Sequence, residues 1–277
     1  MSDKTINEVL EFYSNLKGVD RMITEPTPVK DVEDSFKSVE EIGRIVFDSE
    51  EIERRRRVNI GSILTSAYHF FLPNKDKAGK TSVDPDWMSR FIDCSKDVSD
   101  NDMRLLWAKL LSGELYKPNS ISVMTLETLR NMSKRDAEIF HKLANFALVD
   151  NENRETFIPH NGFFANEKYK SDKDYGIKYD ELLWMQELRL INLNAGLQMS
   201  FTIDDDNPHI ESTLSCANLC IKIISKTNMS IPCYSYTRIG AQLYSLIEDI
   251  SPNVSFFEDR IKNRYSSDQT KVDICTV

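Results

Sequence analysis

The stretch from Ser99 to Ala147 limits the fold more than any other, because its apolar residues recur at helical spacing between start and stop signals. Met103, Leu106, Trp107, Leu110 and Leu111 fall at i, i+3, i+4, i+7 and i+8, a single helix face. Ser99, with Asp102 three residues on, offers an N-cap, and Gly113 offers a stop. Ser122 and Thr125 are caps for a second helix carrying Leu126, Leu129 and Met132. Ser133 with Asp136 opens a third, lined by Ala137, Phe140, Leu143, Ala144 and Ala147. Three short helices with tight polar joints predict a helical bundle or array. Trp87, Trp107, Leu110, Leu111 and Phe140 are then core residues, and Trp107 belongs to packing rather than to a site.

Upstream, residues 5–17 read as a short helix and 18–34 as a linker punctuated by Pro26 and Pro28. A longer helix follows, capped by Ser49, running through Tyr68 to Leu72 and closed by Pro73, before a polar loop over 73–86. Downstream of Asp150 the texture becomes polar with scattered aromatics, which reads as a boundary and an irregular connection over 149–178. Residues 179–194 read as a helix turning into a strand, and 197–203 alternate apolar and polar in the manner of a half-buried strand. Asn194, Ala195 and Gly196 between them suggest a hairpin turn. "LCIKIIS" and "IPCYSYT" are further strand candidates. Thr237 caps a last helix whose apolar face is Ile239, Leu243, Leu246, Ile247 and Ile250. The expected organisation is therefore an N-terminal helix and linker (1–34), a helical domain (35–148), the connection (149–178), a smaller winged-helix-like module (179–250) with Leu188 and Leu243 in its core, and a partly ordered tail (251–277). The fold class is α+β, mainly α.

The winged-helix reading follows from a helix ending "ELRLINLN", a strand pair and a closing capped helix. The glycine usual before "Leu-Ile" in such modules is Arg189 here. Residues 179–190 carry Asp180, Glu181 and Glu187 against Arg189 alone, poor electrostatics for a DNA-recognition helix. The whole chain has net charge −9, and residues 1–50 hold twelve acidic against six basic side chains. Nucleic acid is thus electrostatically disfavoured as a partner. The N-terminus has neither the basic nor the apolar region of a signal peptide, and no apolar run is long enough to span a bilayer. Five spread cysteines point to reduced thiols and a cytoplasmic setting.

Candidate chemistry is thin. Arg54, Arg55, Arg56 and Arg57 form the strongest basic run and are the candidate partner-binding residues, although consecutive helical residues point around the whole circumference and Asp48, Glu50, Glu51 and Glu53 lie upstream. Asp84, Asp86, Asp93, Asp97, Asp100 and Asp102 have the atoms of a cation site, but capping and the helix dipole explain acids in such places. His209, Cys216, Cys220 and Cys233 have zinc-binding atoms without the paired spacings of structural sites. His69 and His141 sit in helical patterns, and His160, in a loop, is the least explained histidine. Nucleophile-elbow, phosphate-loop, dinucleotide and zinc-protease motifs are missing. No catalytic residue, metal or cofactor is assigned.

Residues 84–140, from "DPDW" through "VSDNDM", "LWAKLLSGE", Pro118, Ser120 and "TLETLRNMSKRDAEIF", resemble the bacterial family known as domain of unknown function 2806, with "IERRRRVNI" (52–60) as the segment that precedes it. The similarity covers about 52–146. A looser likeness joins the "W-A-x-L-L" helix and the "Y-x-x-T-x-x-G" element from Tyr234 to Gly240 to abortive-infection proteins of the alpha type. It implies a role in phage defence, by association rather than mechanism. The expected function is a non-enzymatic interaction or regulatory protein with a protein partner or self-association and no membrane. The alternatives are a nucleic-acid-binding regulator and an uncharacterised enzyme.

Overall fold

In a computed structural model, which describes residues 49–73, 82–161, 170–194, 196–203 and 208–276, the chain divides at Arg130 into an N-terminal and a C-terminal unit. The helix expected over 5–17, the linker over 18–34 and most of the loop over 73–86 lie outside the described residues. The fold is mixed α and β with an antiparallel sheet.

The N-terminal unit is helical where described. Helix α1 (Ser49–Phe71) buries Ile60, Ile63, Leu64, Ala67 and Phe71, a stripe at helical spacing. Helix α2 (Pro85–Ser95) starts at Asp84, whose carboxylate accepts from Trp87 N, with proline in the first helical position, where its missing N–H costs nothing. Helix α3 (Asn101–Tyr116) carries Met103, Trp107, Ala108, Leu110 and Leu111 inward. The cap of α3 is Asp100 and not Ser99: its carboxylate accepts from Asp102 N and Met103 N at 3.0 and 3.1 Å. An ionised acceptor facing the first-turn amides outcompetes a neutral hydroxyl one residue earlier.

Gly113 does not end α3. The helix runs one turn further because Glu114 and Leu115 are buried, and Pro118 together with Asn119 at φ 67° closes it. Helix α4 (Val123–Asn131) is capped by Ser122, whose hydroxyl accepts from Thr125 N at 3.2 Å. Around α3 the aromatic rings stack in sequence, Trp87 on Phe91 and Phe91 edge-on to Trp107, each pair 5.5 Å apart. The Trp87 indole N–H donates to Ile121 O at 2.9 Å.

The C-terminal unit opens with helix α5 (Lys134–Ala144), whose Ser133 and Asp136 form the reciprocal capping box that the sequence predicts. Strands β1 (Leu148–Asp150) and β2 (Thr156–Pro159) follow immediately. From Val149 on they lie inside the stretch expected to be irregular, and they are central, between β5 (Ile210–Cys216) and β7 (Met229–Tyr236) in the order β3 (Ile191–Asn192), β7, β2, β1, β5, β6 (Leu219–Ser225), β8 (Thr270–Thr276), with β4 (Gln198–Phe201) also on β7. Three and four residues are too few to show a period, and every residue of β2 is buried, so no alternation marks it.

Helix α6 (Tyr179–Glu187) leads into β3 (Ile191–Asn192) and β4 (Gln198–Phe201). These do not form the expected hairpin. Both pair antiparallel with β7 (Met229–Tyr236), β3 with its C-terminal end and β4 with its N-terminal end, as two segments of one interrupted path. Strands β5 (Ile210–Cys216) and β6 (Leu219–Ser225) form the long hairpin instead. Thr237 caps α7 (Arg238–Tyr244), which stops before Leu246, Ile247 and Ile250. Beyond Ser251, the expected tail folds into α8 (Val254–Phe257), a π-helical turn (Glu258–Lys262), α9 (Asn263–Tyr265) and edge strand β8 (Thr270–Thr276). Its Phe256, Phe257, Ile261 and Val272 are buried, and this apolar burial holds it on the sheet.

Candidate functional site

The polar residues of the C-terminal unit converge on Arg260, whose side chain is completely buried on the π-helical turn. Its guanidinium pairs with Asp172 at 2.9 Å and Asp259 at 2.6 Å, and lies over the rings of Tyr175 and Phe256 at 5.3 and 5.0 Å. A buried charge needs such partners, because leaving it unpaired costs several kcal/mol. The π-helical turn widens the backbone at this position. Asp172 also accepts from the Tyr234 hydroxyl at 3.3 Å, and the His160 ring stacks on Tyr234 with centroids 4.4 Å apart. Arg264 donates to Asn161 O at 3.0 Å.

Burial pushes the His160 pKa below its ordinary value; Asp172 opposes this, while Arg264 and Arg260 add to it. Burial, then Asp172, pushes the Tyr234 hydroxyl well above its ordinary range. At neutral pH the cluster thus holds a neutral imidazole, a protonated phenol and a doubly paired guanidinium. Arg260 ties the segment 251–265 to the 3₁₀ turn at Asp172–Tyr175, Arg264 ties it to Asn161 after β2, Tyr265 ties it to Ser230 of β7, and Tyr234 ties β7 to the same turn. This is the chemistry of a structural hub.

The "Y-x-x-T-x-x-G" element belongs to the same framework. Tyr234 reaches the hub. Thr237 donates to Arg189 O at 2.5 Å and accepts from Gly240 N at 3.1 Å. A Cβ on Gly240 would lie 2.0 Å from Leu190 O, so only glycine lets α7 approach the start of β3. Arg189 itself sits at φ 60°, the left-handed conformation that glycine favours. The spacing of the motif therefore reports a helix–strand junction.

On the outside of this unit, α6 exposes Tyr179, Leu183 and Trp184, at 64%, 39% and 47%. The Trp184 indole is fixed in place: its N–H donates to Asp136 Oδ1 at 2.6 Å, while Asp136 Oδ2 closes the α5 capping box. Lys142 adds a second tie from α5, pairing with Glu181 and donating to Gly176 O at 2.9 Å. Leu182 and Met185 face inward. The exposed aromatic face is rimmed by Asp180 and Glu187, both exposed acids.

The residues singled out from the sequence are dispersed. On α1, Arg54 pairs with Glu51, and Arg56 with Glu53 at 2.9 Å and Asp97 at 2.8 Å, while Arg55 and Arg57 are exposed. Trp87, Trp107, Leu110, Leu111, Phe140 and Leu243 are buried, and Leu188, at the C-cap of α6, is half-buried. Asp84 and Asp100 are caps, Asp93 pairs with Lys96 at 2.5 Å and Asp97 with Arg56. Asp84 and Asp86 also line a cavity of about 720 Å³ with Trp87, Arg90, Asn119 and Ser122.

Among the described residues no group of three or more His, Cys, Asp or Glu could hold a metal ion. Cys216 and Cys233 are buried in the sheet, while His209 is exposed. His141 meets Asp249 at 3.1 Å, and His69 is exposed on α1. Sequence reasoning missed Arg260 and Asp172. The only signal was a basic residue amid "VSFFEDRIKNRY", a stretch too aromatic for a solvated tail.

No helix among the described residues is long and apolar enough to cross a membrane. Neither the curated proteins nor the solved structures contain a match to the chain. The model of one family, described as Protein of unknown function (DUF2806), matches residues 44–259.

Proposed function

Because the chain belongs to the DUF2806 family, whose description names no activity, we propose its role from its own surface: a non-enzymatic interaction or regulatory protein that binds a protein partner through α6. The observation that carries this reading is Trp184, large, apolar and about half exposed, yet held by Asp136 in one orientation. A rigid exposed tryptophan flanked by Tyr179 and Leu183 has the composition of an interface centre, since Trp and Tyr bury much area at low entropic cost. The pairing of Arg260 with Asp172 and Asp259 supports a structural rather than a catalytic role for that buried charge.

We place this role in the bacterial cytoplasm and, from the likeness of the "W-A-x-L-L" and "Y-x-x-T-x-x-G" elements, in phage defence. A winged-helix-like use of α6 on DNA is the weaker reading, since Asp180 and Glu187 flank the face that would meet phosphates.

The test compares wild type with a Tyr179→Ser/Trp184→Ser variant. Size-exclusion with light scattering and affinity capture from the native host should show an assembly that the variant loses while its circular dichroism is unchanged. Equal assembly by both proteins, or a salt-sensitive DNA mobility shift lost in the variant, would overturn the reading. Phage plating with the gene deleted checks the biological assignment: unchanged plating over a broad panel would remove it.

A further inference from the structure

Strands β6 and β8 pair antiparallel from Leu219↔Thr276 to Ser225↔Thr270, and their register sets Cys220 directly opposite Cys275. Both stand on the outward face of the sheet. Cys220 alternates with buried Leu219 and Ile221, and Cys275 shares its side with exposed Lys271 and Asp273, opposite buried Val272. Directly opposed residues of an antiparallel pair have Cα atoms about 4.5–5.5 Å apart, inside the range of about 4.4–6.8 Å that disulfides span. The Cys275 thiol donates to Cys220 O at 3.5 Å, which turns its sulfur toward the partner residue. Burial first, and then the adjacent Cys275 thiol, raise the pKa of Cys220.

The other three cysteines differ. Cys94, Cys216 and Cys233 are buried, and burial pushes the Cys216 thiol up to about 12 and Cys233 up to about 11. Neither is a thiolate near neutrality, and the thiolate is the reactive form.

We infer that Cys220 and Cys275 form a modification site, a cross-strand dithiol that a peroxide oxidises to an intrachain disulfide. The exposed Cys275 thiolate attacks the peroxide oxygen, breaking the O–O bond and leaving a sulfenic acid and one water. The Cys220 thiolate then attacks that sulfur, forming S–S and releasing the second water. Two thiols and one hydrogen peroxide thus give one disulfide and two waters. The bond ties edge strand β8 to β6 and closes the long loop through β7, α7 and the arginine hub, so it acts on the segment that carries Arg260.

The experiment uses the full chain, fully reduced, treated with hydrogen peroxide under native conditions. Wild type should lose two titratable thiols and two hydrogens of intact mass, with the peptides bearing Cys220 and Cys275 joined in the proteolytic map. Amide exchange of 270–276 should slow in the oxidised protein, and the thermal midpoint should rise by about 5–10 °C. Cys275→Ser should lose no thiol pair, and Cys220→Ser should stop at an oxygen adduct on Cys275. Because Cys275 is exposed and Cys220 only half-buried, these variants keep the sheet, which the same exchange experiment verifies. A disulfide between two chains, stepwise oxygen addition to wild-type Cys275 without a joined peptide, or pairing that survives in Cys220→Ser would overturn the inference.

Discussion

Glu114 offers the sharpest test of how the N-terminal unit is held. It is 1% exposed, one turn from the end of α3. Its carboxylate accepts from Asn119 N at 2.6 Å, Ile121 N at 2.8 Å and the Ser120 hydroxyl at 3.4 Å. The side chain thus holds the 117–121 turn, including the left-handed Asn119 and the Ile121 carbonyl that receives the Trp87 indole. Hydrogen bonds to an ionised group are worth about 1.5–3 kcal/mol each.

Glu114→Gln keeps the volume but turns one acceptor into an NH₂ group facing a donor, so it should cost about 2–3 kcal/mol. Glu114→Ala strands the two backbone N–H groups and removes buried methylenes, so it should cost about 3–5 kcal/mol. The assay is native-state hydrogen exchange of the Leu110 and Leu111 amides against denaturant, which reports on this unit alone. Exchange at Asn119 and Ile121 should quicken in both variants. A Gln variant within about 0.5 kcal/mol of wild type, below any charged bond in the range used here, would refute the claim that the negative charge holds the turn.

Trp107→Ala should destabilise the same unit by about 3–5 kcal/mol, measured by the same exchange; Trp107→Phe should cost less, because the indole N–H of Trp107 has no hydrogen-bond partner among the described residues. In the C-terminal unit, Gly240→Ala should unfold or severely weaken the protein, while Arg189→Gly should stabilise it by about 0.5–1 kcal/mol by relieving a left-handed backbone; thermal melts of the two variants check both signs. His160 has a folded pKa below its ordinary 6.5, so the unfolded chain binds the proton more tightly, and stability should be full above about pH 6.5 and fall as the pH drops below it. Melting temperatures from pH 7.5 to 5 should show that decline, and His160→Gln should flatten it.

Helices α1 and α3 to α7 were legible because each carries its own evidence, whereas no helix was expected over α2, α8 or α9. The α5 capping box is spelled out by Ser133 and Asp136, and the inward stripe of α3 can be counted from Met103 to Leu111. Where the expectation failed, the deciding force was not local. Asp100 displaced Ser99 as cap through one extra charge, and Gly113 stayed helical because Glu114 and Leu115 had buried partners beyond it. Strands β1 and β2 left no periodic trace, since the three residues of β1 are too few to show alternation and the four of β2 are all buried. The hairpin expected at residues 194–196 failed for a related reason: β7 offers one long edge to both β3 and β4, and pairing with it satisfies more backbone groups than a two-strand turn would.

The hub shows the same limit at the level of single residues. Asp172 and Arg260 are 88 positions apart, and no spacing in the sequence names that pair. Arg189 was legible in the opposite way. Set against a glycine expected at that position, it read as a departure from pattern, and its φ of 60° shows that the backbone there keeps the conformation glycine would have supplied. A mismatch in residue type therefore does not imply a mismatch in backbone, and the junction of α6 with β3 is better identified by the Thr237–Arg189 and Gly240–Leu190 contacts than by any letter in the sequence. That junction sets where α6 leaves the sheet, and so where Tyr179, Leu183 and Trp184 are presented.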